Sequence, residues 1–348
     1  MIYENMEFHN VMELQKSEGI PGLRLQRFPK EIRENLGFKE HLNGRIVSQP
    51  STGCEIRFLT DSKVIHIYLS ALTHDGTVLV YNGNFFHSMH ILKAGVMTTL
   101  VLEENELFDT MKPEALENFS FSHKVWRICM SRGFSAFYHG IDTFGASIRP
   151  PKPNEKPKLR WLAYGSSITY GINSTSHNNS YIEQTARRLG VDVINNGLSG
   201  ACLCEDFLAD YLANRQDWDF ATLELGVNMR TRLNREQFES RTRYFIKKIV
   251  EMNSDKPVII ITIYPNRAIY LKNKNDDLYI KDSEFNKILN DIYKEYNHKN
   301  LYILQGNSIL TDFSGLCSDL LHPSDYGHTI MGENLARELS NIVSNYYV

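Results

Sequence analysis

The chain has 348 residues, 42% hydrophobic and 23% charged, with a net charge of −3. That composition excludes a disordered or collagen-like chain. The charge balance, with 38 scattered basic residues, gives no pull toward nucleic acid or an anionic membrane.

No apolar run approaches the ~20 residues that span a bilayer. The start, Met1-Ile2-Tyr3-Glu4-Asn5-Met6-Glu7, lacks a basic stretch followed by an apolar one, so the expectation is no secretory signal and a cytoplasmic location. Five cysteines, an odd number in a long chain, argue against a disulfide framework. Cys202 and Cys204 read as ordinary small residues, with a metal site the minor alternative.

Up to about residue 150, short runs alternate apolar and polar and are rich in aromatic and β-branched residues: 54–59, 64–69, 77–81, 97–101, 119–128 and 134–138. Turn residues separate them, and Tyr81-Asn82-Gly83 reads as a hairpin. Such spacing predicts an antiparallel β-sandwich. A short helix is expected near 30–36. Residues 149–157 hold four of the eleven prolines, which predicts an extended linker because proline fixes φ and donates no backbone hydrogen bond. The expected division is a β-sandwich over 1–150, a linker over 151–158 and a second domain over 159–348.

Beyond the linker, strands and helices alternate. Strands are expected at 161–164, 191–195, 220–225, 258–264 and 301–304. Helices are expected at 180–189, capped by Ser180 and ended by Gly190, then at 203–213, 235–252 and 283–296, with a last helix from a cap at Asp325 toward Ser344. Phe238, Phe245, Ile249 and Met252 fall on one face of the helix expected at 235–252. The pattern predicts an α/β domain with a five-stranded parallel sheet covered on both faces.

In such a sheet ligands bind beyond the carboxyl ends of the strands. Gly165-Ser166-Ser167-Ile168-Thr169-Tyr170-Gly171 follows the first strand, and a serine on that tight turn is exposed near a helix N-terminus. Asn195-Asn196-Gly197-Leu198-Ser199-Gly200 follows the second, where glycine offers an unobstructed N–H. Glu224-Leu225-Gly226-Val227-Asn228-Met229 follows the third, with an amide able to donate. Asp319-Leu320-Leu321-His322-Pro323 follows the fifth, and an Asp three residues before a His can hold its Nδ1–H. Each segment alone has an ordinary structural explanation: a loop, a Gly turn, an Asx cap, a packed histidine. Together they supply nucleophile, base, orienter and oxyanion donors for acyl transfer.

These four segments resemble the four blocks of the SGNH/GDSL hydrolase superfamily, with matching order and spacing over roughly 160–345. The resemblance implies a three-layer α/β/α domain with Ser167 as nucleophile, Asp319 and His322 as the acid–base pair, and an oxyanion hole from the N–H groups of Ser167 and Gly200 and the amide of Asn228. The preceding β domain is similar to the jelly-roll domain of two-domain carbohydrate acetyl esterases, and Gly140-Ile141-Asp142-Thr143-Phe144 resembles a signature at that domain's end. Two positions depart from the pattern: Ser166 stands where an Asp is usual, and Met229 where an Asp follows the Asn. The first puts loop geometry in question; the second suggests an apolar surface beside the site.

The reaction so implied is two-step ester hydrolysis through an acyl-enzyme, with no cofactor or metal in the scheme, and activity rising with pH as His322 becomes neutral. The expected substrate is a small-molecule or oligosaccharide ester that loses a short acyl group, acetyl by analogy. Acyl transfer by the same serine and a non-catalytic carbohydrate-binding protein with a decayed site are the alternatives. A lipase reading lacks a long apolar lid. The β domain has three open roles: glycan binding, shaping the cleft, or homo-oligomerisation. Among other residues, His328 is expected to pack or face solvent, His177 to sit exposed in a loop with lining of the pocket the alternative, and His87 and His90, three apart, to lie on opposite strand faces. The polar loop from Tyr264 through Asp277 reads as a solvated insertion, with shaping of the substrate pocket the alternative, and Tyr170 and Arg230 read as substrate contacts or surface residues.

Overall fold

The computed structural model describes residues 1–344 and 346. Among them the chain forms two compact units. One takes in Met1–Lys30, Gln49–Lys158 and Gly190–Asp192; the other joins Glu31–Ser48 and Leu159–Leu189 to the chain from Val193 onward.

The first unit contains two antiparallel sheets. One runs Ile2–Tyr3, Met6–His9, Glu55–Thr60, Trp126–Met130, Gly76–Asn82, Phe85–Leu92, with Ile148–Arg149 also paired to Glu55–Thr60. The other runs Glu13–Ser17, Ile20–Gln26, Ala136–Asp142, Val64–Ala71, Met97–Glu103. Alternate residues point inward, so Ile65, Ile67 and Leu69 of one sheet meet Ile56, Val80 and Ile128 of the other in one buried cluster. This is the sandwich that the period-two pattern predicts.

The hairpin at Asn82 forms, with Asn82 opposite Phe85 and Gly83 at φ +59°. A side chain at Gly83 would meet the Ser122 carbonyl at 2.5 Å, so glycine is required there. Two expectations fail nearby. The run 119–128 is a strand only over Trp126–Met130; Phe121 packs instead under the Arg127 guanidinium, 4.1 Å from its ring centre, and its N–H bonds the Asn84 side chain. His87 and His90 do not lie apart, because a register shift between Val80 and Tyr81 leaves His87 unpaired. Such a bulge breaks the alternation, and Ser88 Oγ lies 2.8 Å from His87 Nδ1 and 2.9 Å from His90 Nε2. The proline-rich segment is not extended throughout. Pro153–Glu155 is a 3-10 turn, closed by Glu155, which accepts two 2.7 Å bonds from Arg149.

The second unit is built on a five-stranded sheet with parallel registers. In space its order is Asp192–Gly197, Arg160–Gly165, Phe220–Glu224, Val258–Ile261, Leu301–Leu304. Numbered along the chain this is 2-1-3-4-5, so connections diverge on either side of the first and third strands, and a crevice opens above their carboxyl ends. The inner strands are buried on both faces, as continuous runs such as Val258-Ile259-Ile260-Ile261 require, while the edge strand Leu301–Leu304 is partly exposed. Helices Tyr181–Leu189, Asp206–Asn214, Arg235–Met252, Asp277–Tyr296 and Asp325–Val343 follow or precede them. On Arg235–Met252 the expected face holds for Phe238, Phe245 and Ile249, but Met252 at the frayed end is 46% exposed. The last helix is capped by Ser324, whose Oγ accepts from Gly327 N–H; Asp325 instead accepts from Thr175 N–H at 2.9 Å.

All five cysteines are free thiols. Among the described residues no helix is long and apolar enough to cross a membrane, and no group of three or more His, Cys, Asp or Glu side chains is placed to hold a metal ion.

Candidate active site

The first strand ends at Gly165 and the chain turns at once into a single helical turn, Ser167–Tyr170. Ser166 caps that turn, its Oγ accepting from Ile168 N–H. Here the departure at 166 has a local explanation, since serine is a good N-cap. The turn closes at Gly171, which at φ +93° returns its N–H to the Ser167 and Ile168 carbonyls. Ser167 thus sits at the start of a helical turn, at the carboxyl end of the strand beside the sheet's reversal point.

Beneath the turn lies a carboxylate. Glu224, last residue of the third strand, accepts from Ser166 N–H at 2.6 Å and from Thr169 Oγ1 at 3.1 Å. Thr169 also bonds Tyr181 OH, and Asn195 Nδ2 donates to the Thr169 carbonyl. The approach needs a bare Gly165: a Cβ there would meet Thr169 Oγ1 at 2.3 Å and Glu224 Oε2 at 2.6 Å. Glu224 Oε1 is buried with no hydrogen-bond partner. Burial pushes the Glu224 carboxyl up to about 7, against the opposing pull of the Ser166 and Thr169 bonds.

Ser167 Oγ lies 2.7 Å from His322 Nε2, and His322 Nδ1 lies 2.7 Å from Asp319 Oδ2. With the ring proton on Nδ1 facing the carboxylate, Nε2 is left to accept from the serine hydroxyl. The loop holding this pair is tied locally. Asp319 Oδ1 accepts from Leu321 and His322 N–H, both at 3.0 Å, and Cys317 N–H donates to the His322 carbonyl. Burial alone would raise the Asp319 pKa; the His322 ring and the two backbone N–H groups outweigh it and hold it below the ordinary value. Ser167 is only 5% exposed, whereas the Asp319 side chain is 44% exposed.

The other two segments meet one another. Asn228 Oδ1 accepts from Cys202 N–H at 3.1 Å, which fixes the amide and leaves Nδ2 as the outward donor. Arg232 Nη1 donates to the Gly200 carbonyl and, at 3.4 Å, to that of Asn228. Gly200 itself has φ +65°, the left-handed region that favours glycine. The Gly200 segment is joined to the strand that ends at Gly165 through Leu198 N–H, which donates to the Gly165 carbonyl at 2.8 Å.

Other sequence expectations divide. Met229 is fully buried, so it forms no apolar surface: its N–H and carbonyl join the turn from Gly226 to Leu233, which tucks the side chain inward. His177 is buried rather than solvent-exposed, 3.2 Å from Glu183. His328 packs, with Nδ1 accepting from Tyr181 N–H and Nε2 3.0 Å from the Ile172 carbonyl. Tyr170 is buried, and Arg230 is buried against Asp282 and Asn266; neither is at the surface. The loop after Tyr264 is solvated over most of 267–277, and its base is tied: Asn266 caps its turn and Arg267 N–H donates to the Leu320 carbonyl. Glu224, Asn195 and Arg232 were not singled out from sequence. Glu224 had one available signal: an acid ending an otherwise apolar, doubly covered strand needs a buried partner.

Comparison with known proteins agrees with this architecture. The GDSL-like lipase/acylhydrolase family matches residues 158–340. Among solved structures the chain is similar to the salicylyl-acyltransferase SsfX3 from a tetracycline biosynthetic pathway (16% identity, 98% of this chain and 95% of that one, TM-score 0.79). It is similar to a family two carbohydrate esterase from Clostridium thermocellum, solved with cellohexaose (16%, 84% and 93%, TM-score 0.59). It is also similar to the acetyl xylan esterase Est2A from the rumen bacterium Butyrivibrio proteoclasticus (13%, 99% and 97%, TM-score 0.56). At these identities the likeness is one of fold. No curated protein matches the sequence.

Proposed function

The chain belongs to the GDSL-like lipase/acylhydrolase family, and on that premise we propose that it is a serine esterase that removes a short acyl group, acetyl in the first instance, from a sugar or sugar-like alcohol. The observation that carries this reading is the unbroken relay from Ser167 Oγ through His322 to Asp319, with both bonds at 2.7 Å.

In the proposed mechanism Ser167 Oγ attacks the acyl carbonyl as His322 Nε2 takes its proton. Asp319, held in its ionised form, orients the ring and stabilises the imidazolium. The oxyanion is received by Ser167 N–H, Gly200 N–H and Asn228 Nδ2. His322 then returns the proton to the leaving alcohol, and water, deprotonated by the same nitrogen, releases the acid. Each oxyanion donor is worth about 3 kcal/mol in such sites, so Asn228→Ala should lower kcat by about a hundredfold. The sugar part of the reading is supported by the carbohydrate esterases that share the fold. A second reading, transfer to an acceptor hydroxyl in place of water, is supported by the likeness to an acyltransferase.

The test is intact mass after a fluorophosphonate probe, beside p-nitrophenyl acetate turnover, on wild type and Ser167→Ala. One adduct and turnover in wild type, both lost in the variant, are expected. A folded wild type that takes no adduct and turns over nothing would overturn the assignment. Product analysis with and without an added alcohol acceptor separates hydrolysis from transfer.

A further inference from the structure

Four buried or nearly buried arginines carry a carboxylate: Arg57 and Arg127 share Glu55, Arg215 has Asp217, and Arg230 has Asp282. Arg232 is different. It is half-buried, yet no carboxylate among the described residues pairs with it, and burial lowers its pKa without any stabilising neighbour. Its protein contacts are the two carbonyls of Gly200 and Asn228, both on Nη1. The side-on edge of the guanidinium, Nε with Nη2, is therefore left without a protein acceptor among the described residues. That edge presents two parallel N–H groups, the geometry that grips a carboxylate with two bonds.

The open edge has a location. A Cβ on Gly200 would lie 3.8 Å from Arg232 Nη2 and 3.4 Å from Asn43 Nδ2. Two nitrogen donors from distant parts of the chain thus flank the bare Cα of Gly200. Asn43 is fixed there because it also donates to the Ser199 carbonyl at 3.2 Å, and its segment is held by Gly37 N–H on Glu205 Oε1 at 3.0 Å. A desolvated cation with no counter-charge is costly. Beside the segment assigned to the oxyanion hole, a ligand anion would supply that counter-charge.

We propose that Arg232, with Asn43, binds a carboxylate carried by the substrate, so that the natural ester is an acidic one: a dicarboxylate half-ester on the acyl side, or an acylated uronic acid on the alcohol side. This rests on the esterase reading above. A charge-assisted pair of bonds corresponds to about 10- to 100-fold in selectivity.

The test compares kcat/KM for matched esters: mono-p-nitrophenyl succinate against its methyl ester, and acetylated glucuronate against acetylated glucose. Wild type should favour the acid of one pair by about tenfold or more. Arg232→Gln should bring that ratio near one, and Arg232→Lys should retain part of it. If Arg232 only clamps the two carbonyls, Arg232→Gln will slow acidic and neutral esters equally, and the proposal falls. It falls too if wild type shows no preference in either pair. If wild type hydrolyses no ester at all, the esterase reading has failed instead. Calorimetry on Ser167→Ala, with succinate against its monomethyl ester and glucuronate against glucose, then decides the anion site without turnover, and equal binding within both pairs overturns it.

Discussion

Ser167 and His322 touch, yet the chain holds them by different means. The turn around Ser167 is buried and tied to residues remote in sequence: Glu224 below it, Tyr181 and Asn195 beside it. The loop around His322 is partly exposed and tied mostly to itself, through bonds spanning two to five residues. A tight, close-packed turn needs the whole sheet to be in place, whereas a short loop with an Asx-type cap can carry its own geometry. Changes in the loop should therefore act on turnover, and changes beneath the turn on folding.

The largest expected effect sharpens that contrast. His322→Ala should lower kcat on the order of a thousandfold or more while the melting temperature stays close to wild type; a large loss of stability would show that the loop also supports the fold. Next comes Glu224. Its carboxyl is raised to about 7 by burial, from an ordinary 4.5, so the folded state keeps a proton that the unfolded chain loses. Its contribution is complete below about pH 4.5 and is lost as pH climbs to about 7, a change of about 3 kcal/mol. Glu205, likewise raised to about 7 by burial, adds the same trend. Urea unfolding at pH 5 and pH 8 should thus show a fall in wild type that Glu224→Gln reduces and Glu224→Gln/Glu205→Gln reduces further. An unchanged slope in both variants would remove Glu224 from this account.

Smaller still is Ser166→Ala, which deletes the cap of a four-residue turn and should cost about 1 kcal/mol by thermal unfolding. The smallest concerns Leu320, held at φ +55° and 42% exposed. Leu320→Gly relieves a left-handed strain of about 1 kcal/mol but frees the unfolded chain by a similar amount. Stability should stay within about 0.5 kcal/mol of wild type. A loss well beyond that would mean the loop depends on Leu320 for packing and is less self-contained than its hydrogen bonds indicate.

Legibility followed the same division. Asp319 and His322 are three residues apart and bond within their own loop, so spacing offers the pair, which gains meaning only beside the other three segments. Period-two runs marked several strands of the sandwich, the edge strand Met97–Glu103 among them, and apolar runs marked each parallel strand, because burial on one face or both leaves a direct imprint on residue type. The N-terminal strands left a weaker one: Met6–His9 is only four residues long, Lys16 stands where the alternation from Leu14 calls for an apolar residue, and Pro21-Gly22 interrupts Ile20–Gln26. Phe119 to Val125 misled for the opposite reason: aromatic residues favour strands, but Phe121 packs against Arg57 and Arg127 and Phe119 against Phe85.

By itself the sequence determined the α/β unit, the sandwich before it, and the four segments that converge at one sheet edge, because periodicity and short-range spacing encode elements and their order. Only the tertiary structure decided that Glu224 underlies the Ser167 turn, that Met229 and His177 turn inward, that Glu31–Ser48 packs with the α/β unit, and that Arg232 keeps an open edge beside Gly200. Each of these is a contact between residues far apart in the chain, and the chain's local pattern carries no record of which distant side chain will supply a partner or leave one missing.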